Sequence, residues 1–237
     1  MLYMFLFLRA ILYTKSIIKS TWKNVDYFST IHDIFNNNQK TSKYFVDCIF
    51  YKNSYKIFSF IFFHIQMAQQ NTALVLIGLQ ELWRDKNSDY RLRNMNWLID
   101  RACYLIQYAR EMGYKIIFIR HTEKEWPFAD KDPLSQIIAD LCPQPEDIII
   151  KKRKISSFFN TDLAQHLEWI KNIVFAWIPT NLCVRMFAEE AYDREFNLAL
   201  IEDICQTYNE KLQDFTLDDL NESRPDLDVV RLETFLW

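Results

Sequence analysis

Cys183 stands in Pro179-Thr180-Asn181-Leu182-Cys183-Val184, directly after the apolar run Ile173-Val174-Phe175-Ala176. The run reads as a buried strand, and Phe187, Ala188 and Ala191 continue from Cys183 at helical spacing. Thr180 fits an N-cap, which sets Cys183 in the first turn of a helix. There the positive end of the helix dipole and unpaired backbone N–H groups stabilise a thiolate, the form of cysteine that attacks a carbonyl carbon. A Cys four residues before a Phe serves equally well as a small buried hydrophobe. A second candidate is Lys152, two residues past Ile148-Ile149-Ile150. A Lys and a Cys at neighbouring strand ends form an ion pair that lowers a thiol pKa. By composition alone, Lys151-Lys152-Arg153-Lys154 is a solvated basic loop.

The elements that would position these groups alternate along the chain. Strands are expected at Ala73–Ile77, Lys115–Ile119, Ile148–Ile150, Ile173–Ala176, Leu198–Ile201 and Asp228–Leu232. Helices are expected at Leu92–Met112 (ended by Gly113), Leu134–Leu141, Asp162–Ile170, Asn181–Arg194 and around Leu217–Asn221. Strand–helix alternation with continuously apolar strands means an α/β fold with a parallel sheet covered on both faces. Ligands in such sheets bind beyond the C-terminal strand ends. Gly78-Leu79-Gln80-Glu81, Lys152 and Cys183 all follow such ends.

The 237 residues carry a net charge of -3, an average over two different compositions. Residues 1–66 hold no Gly, Pro or Glu, and eight Lys/Arg against three Asp give +5, leaving -8 for the remainder. Phe, Ile, Lys, Asn and Tyr fill 37 of those 66 positions, against two for Gly, Ala, Arg and Pro together. That is the bias of A/T-rich codons. It predicts that residues 1–66 are a non-native upstream extension, or a disordered segment, with Met67 the natural first residue. An intact mass of the native protein that includes Met1 would contradict this. A targeting segment is the alternative, but the apolar runs Met1–Tyr13 and Ile57–Ile65 fall short of the roughly 18–20 residues that span a bilayer.

Residues 67–237 make one domain of ordinary size, able to bury about 70 % of the unfolded chain's surface. Its cysteines, Cys103, Cys142, Cys183 and Cys205, include no CxxC pair, which points to a reduced, cytoplasmic protein. His121 and His166 lack ligand spacing, so no metal or other cofactor is expected. Nothing in this domain suggests nucleic acid or membrane as a partner, which leaves a small molecule. Trp97 and Tyr104, seven apart on the long helix, could face a second copy in a homo-oligomer or belong to the core.

Ala73-Leu74-Val75-Leu76-Ile77-Gly78-Leu79-Gln80, Lys152 with Ser156-Ser157-Phe158 and Thr161-Asp162-Leu163, then Thr180-Asn181-Leu182-Cys183-Val184 and Glu202-Asp203 together resemble the isochorismatase-like cysteine hydrolases. The resemblance covers residues 70–237 in order and spacing, and none of residues 1–66. It implies a three-layer, Rossmann-like fold with a six-stranded parallel sheet. It also implies an Asp–Lys–Cys triad in which Cys attacks a carbonyl of a small amide or enol-ether substrate, a thioester forms, and water releases the acid. Cys183 matches the nucleophile and Lys152 the lysine. The Asp falls on Gly78, which has no side chain to move a proton. Pro179 falls where relatives follow a cis peptide with an oxyanion-hole N–H. Proline suits the cis bond but has no N–H to give.

Three positions where relatives carry glycine are Trp177, Asn160 and Glu195 here. Asn160 tolerates positive φ, whereas Trp177 does so only at a cost, and its indole is expected to fill substrate space. Arg120-His121-Thr122-Glu123 replaces the metal motif of the nicotinamidases. Glu81 is the candidate substitute base, with Asp85 behind it, although both read as ordinary surface carboxylates. Trp83, Phe158 and His121 are expected in the pocket wall, and Gln80 in support of the strand end. Cys103, Cys142 and Cys205 are read as inert. The expectation is a hydrolase with weak or altered chemistry. The alternative is an inactive relative that binds a small molecule or serves assembly.

Overall fold

The structure is a computed structural model that describes residues 71–125 and 127–236. The expectations for residues 1–66 lie outside the described residues. Six parallel strands form one sheet: β1 (Thr72–Ile77), β2 (Lys115–His121), β3 (Ile148–Lys152), β4 (Asn172–Trp177), β5 (Asn197–Ile201) and β6 (Leu227–Val230), in the order β3-β2-β1-β4-β5-β6. All six residues of β1 are buried, so both faces of the sheet's centre are covered. The helices are α1 (Met95–Glu111), α2 (Leu163–His166), α3 (Arg185–Tyr192), α4 (Glu210–Ser223) and α5 (Leu232–Leu236). No helix among the described residues is long and apolar enough to cross a membrane.

The amphipathic pattern of α1 is the one its sequence predicts: Leu98, Ile99, Ala102, Leu105, Ile106 and Ala109 are buried. Trp97 and Tyr104 are 50 % and 59 % exposed on the other side, which removes them from the core. Cβ alternation along β3 turns Ile150 and Lys152 inward and Ile149 and Lys151 outward. Lys152 is therefore a buried strand residue and not part of a solvated loop, whereas Lys151, Arg153 and Lys154 are exposed.

Several expectations change. Leu134–Leu141 is not a helix; it is two tight turns, Pro133–Ser135 and Ala139–Leu141, around an extended Gln136–Ile138. The extended piece pairs with the end of β1 instead of with itself: Glu81 N–H donates to Gln136 O (3.0 Å) and Ile138 N–H to Leu79 O (3.0 Å). The helix expected over Asp162–Ile170 keeps only its Leu163–His166 turn, and the carbonyl of His166 is taken by Lys115 Nζ at 2.8 Å. The last strand stops at Val230, because Leu232 opens α5 with its N–H on Asp203 Oδ1 (2.8 Å). Finally, β3 and β4 are not neighbours. With β2 and β1 between them, their axes lie about 14 Å apart at ordinary strand spacing.

The backbone is left-handed at the three positions that the resemblance marks for glycine: φ is +126° at Trp177, +52° at Asn160 and +62° at Glu195. Glu195 follows α3 as its C-terminal turn, with its N–H on Tyr192 O (2.9 Å) and that of Phe196 on Ala191 O (3.3 Å). Glu195 is exposed, so its side chain gives little back for the strain. Glu195→Gly is expected to raise stability by about 1 kcal/mol, read as a higher urea midpoint with an unchanged slope.

Candidate active site

The winding of the sheet reverses between β1 and β4, which places the loops after these two strands on either side of a crevice. Gly78 follows one strand and Cys183 the other. In the parallel register Ile77 lies beside Trp177, so Gly78 comes level with Ile178. Gly78 has φ +80°, and a Cβ built on it would stand 2.4 Å from the Ile178 carbonyl oxygen. Backbone fills the space that any side chain at position 78 would need.

The turn after β4 differs in detail from a capped α-helix. The Ile178-Pro179 peptide is cis. Thr180 does not cap: its Oγ1 is buried with no partner among the described residues, and its N–H donates to Gln206 O (3.1 Å). Thr180–Val184 forms one wide turn in which Val184 N–H reaches back five residues to Pro179 O (3.3 Å), and α3 begins only at Arg185. Cys183 sits in that turn, partly buried. The segment after β5 straps this region down. Gln206 N–H donates to Trp177 O (3.4 Å), and Thr207 Oγ1 donates to Asn181 Oδ1 (2.5 Å).

Lys152 is 1 % exposed and forms no ion pair among the described residues. Its ammonium donates to the carbonyls of Ile155 (2.6 Å) and Lys154 (3.2 Å), holding the loop that follows its own strand. Glu81 has both carboxylate oxygens engaged: Arg84 takes them at 2.5 and 2.9 Å, and Ala139 N–H adds a bond at 3.1 Å. Asp85 accepts from Asn87 N–H at 2.7 Å. Gln80 is fully buried and supports the strand ends: its Nε2 donates to His121 O (2.9 Å) and Ser135 O (2.8 Å), and its Oε1 accepts from His121 N–H (2.9 Å).

Trp177 is completely buried, and its indole N–H has no partner among the described residues. Its backbone N–H points at Cys205 Sγ (3.4 Å), whose thiol lies 3.3 Å from Ile201 O. Burial pushes the Cys205 pKa up to about 12. A raised folded-state value means that the neutral thiol is favoured by folding. That stability is whole below the unfolded pKa of about 8.5 and is lost as pH rises towards about 12. The urea midpoint is thus expected to fall through this alkaline window, and more steeply than in Cys205→Ala.

The aromatic residues divide into two groups. Trp83, Tyr90, Phe128 and His121 form a row of edge-on contacts across the ends of β1 and β2, with centroid separations of 6.1, 5.5 and 4.8 Å. Phe158 belongs elsewhere, stacked on Phe187 at 5.6 Å beneath the guanidinium of Arg194. The signal for this was already in the sequence, since Phe187 lies on the helix after Cys183. Two concavities lie away from all of these groups. One of about 540 Å³ runs along β3 and α2, lined by Ile149, Lys151 and Thr161 among others. One of about 280 Å³ lies between α1 and α5. No cluster of three His, Cys, Asp or Glu among the described residues is placed to hold a metal ion.

Residues 72–226 match the model of the isochorismatase domain, and the chain belongs to the isochorismatase family. A curated relative, the ureidoacrylate amidohydrolase of Variovorax paradoxus, is 37 % identical over 70 residues, 29 % of this chain and 28 % of that protein. The matched stretch thus spans less than a third of that relative. Among solved structures, a cysteine hydrolase from Pseudomonas syringae pv. phaseolicola 1448A superposes with a TM-score of 0.66 at 19 % identity, covering 71 % of this chain and 92 % of that one. The pyrazinamidase of Pyrococcus horikoshii, solved in complex with zinc, gives 0.60 at 20 % identity, covering 68 % and 99 %. Both share the six-stranded α/β fold.

Proposed function

We propose that this chain is a cysteine hydrolase of small amides whose proton-transfer machinery is disabled, leaving Cys183 as a nucleophile without a base. The amide class comes from the relatives, whose names record amidohydrolase and pyrazinamidase activities. The observation that carries the reading is the Ile178 carbonyl 2.4 Å from where a Cβ on Gly78 would stand, which closes the family's carboxylate position. In the family's reaction the thiolate adds to the carbonyl, the amine leaves only after it is protonated, and a deprotonated water then cleaves the thioester. A missing base impairs the last two steps and costs roughly 10²–10⁴ in rate. Pro179 withholds one oxyanion donor, for about another 10²–10³. Because Lys152 is held by two carbonyls, its role is to shape the loop and add positive potential near the strand ends.

An activated ester needs no proton on its leaving group, whereas an amide does. Cys183-dependent release of p-nitrophenolate from p-nitrophenyl acetate is therefore expected. Hydrolysis of nicotinamide should run no faster in the wild type than in Cys183→Ala. Amide turnover that vanishes with Cys183→Ala would show a substitute base and overturn the reading. The burial of Trp177 favours a second reading, a relative that keeps the fold as a binding or assembly module. An ester reaction indifferent to Cys183→Ala would select it.

A further inference from the structure

We propose that Cys103 and Cys142 are a redox pair that closes to a disulfide under peroxide, tying α1 to the turn after Ala139–Leu141. The two are 39 residues apart, and the sequence alone gives neither a role. The fold brings them together. Cys103 lies on α1, partly buried, and its thiol donates to the Asp140 carbonyl at 3.3 Å. Cys142 follows two residues later, exposed, in a left-handed conformation at φ +46° with its N–H on Ala139 O (3.0 Å).

A second anchor fixes Cys142 over the same helix face. Arg110, two turns further along α1, donates to the Cys142 carbonyl (3.5 Å) and forms a two-fold ion pair with Asp147, whose side chain is covered, at 2.9 and 2.6 Å. Seven residues of helix span about 10 Å, and the contacts of Cys103 with Asp140 and of Arg110 with Cys142 hold the 140–142 turn along that stretch. A disulfide needs Cα atoms about 4.4–6.8 Å apart, so closing the bond draws the exposed Cys142 turn against α1 until that spacing is reached. Burial raises the Cys103 pKa, and the charges of Cys142, Asp100 and Asp140 push it further the same way. That assigns the roles: exposed Cys142 meets the oxidant, and Cys103 resolves.

The steps balance. The Cys142 thiolate attacks one oxygen of a peroxide, forming an S–O bond as the O–O bond breaks and hydroxide leaves. Cys103 sulfur then attacks the sulfenic sulfur, forming S–S as S–O breaks. Its proton joins the departing hydroxide, so two thiols and one hydrogen peroxide give one disulfide and two waters. The 138–142 segment is bound to the end of β1 through Ile138 N–H on Leu79 O (3.0 Å), Ala139 N–H on Glu81 and the Arg84–Asp140 ion pair. The cross-link would thus brace the segment that borders residues 79–84.

The test treats the reduced full chain with hydrogen peroxide, blocks remaining thiols with N-ethylmaleimide and maps a non-reducing digest. A Cys103–Cys142 cross-linked peptide is expected, lighter by two hydrogen atoms than its parts and reversed by dithiothreitol. It should be lost in both Cys103→Ser and Cys142→Ser. In Cys103→Ser, dimedone should trap Cys142 as the sulfenic acid. Cys142 is exposed, so its serine variant tests the proposal even if the other variant folds poorly. Sulfinic acid on wild-type Cys142 beside a free Cys103 thiol, or a cross-link to any other cysteine, would overturn the proposal.

Discussion

Gly78→Asp is expected to destabilise the protein by about 2–5 kcal/mol and to restore no amide turnover. Two terms add: an L-residue at φ +80° costs about 1–2 kcal/mol, and forcing a Cβ against a backbone oxygen costs about 1–3 kcal/mol as the site shifts. The neighbour is the Ile178 carbonyl, part of the backbone, and no flexible side chain can yield there. On the sequence alone the same substitution looks like a repair of the triad. Urea unfolding of Gly78→Asp should show a midpoint far below the wild type. A stable variant that gains Cys183-dependent amide hydrolysis would mean that the strand ends adapt freely.

The second large effect is expected at Gln80. Its amide joins the ends of β1 and β2 to the 133–135 turn through three hydrogen bonds, all between 2.8 and 2.9 Å. Gln80→Leu keeps the apolar volume but leaves the His121 N–H and the two carbonyls without this partner. A buried group left unsatisfied costs about 1–3 kcal/mol, so with three such groups a loss of at least about 3 kcal/mol is expected. Gln80→Glu is the informative companion. A protonated carboxylic acid can offer one donor in place of two, so that variant should recover part of the loss at acid pH. A change below about 1 kcal/mol in Gln80→Leu, within the range of ordinary surface substitutions, would contradict the bracing role.

Much of this architecture is legible from apolar periodicity. The strands β1, β2, β4 and β5 emerge within a residue or two of their expected bounds, because continuous apolar runs between helical patterns leave few alternatives. Periodicity carries no strand order, so it could not show that β3 and β4 are separated by two strands. Nor could it foresee Gln136–Ile138, where pairing with residues 79–81 overrides local helical tendency. The burial of Lys152 was readable in principle, since it shares the parity of Ile150. The positive φ values at Trp177, Asn160 and Glu195 were also legible, but only through the resemblance that marks them as glycine positions. The approach of Ile178 to Gly78 was not. It depends on the register of two strands whose sequences lie a hundred residues apart.

The proposed reading has Cys183 attack with no base at hand to complete the cycle. Its most direct measurement is the intact mass of the protein during reaction with p-nitrophenyl acetate. One acetyl group should accumulate on Cys183 and persist long after the burst of p-nitrophenolate, because no base activates the water that would cleave the thioester. An acetyl adduct that never accumulates while p-nitrophenolate is released in many Cys183-dependent turnovers would contradict the account.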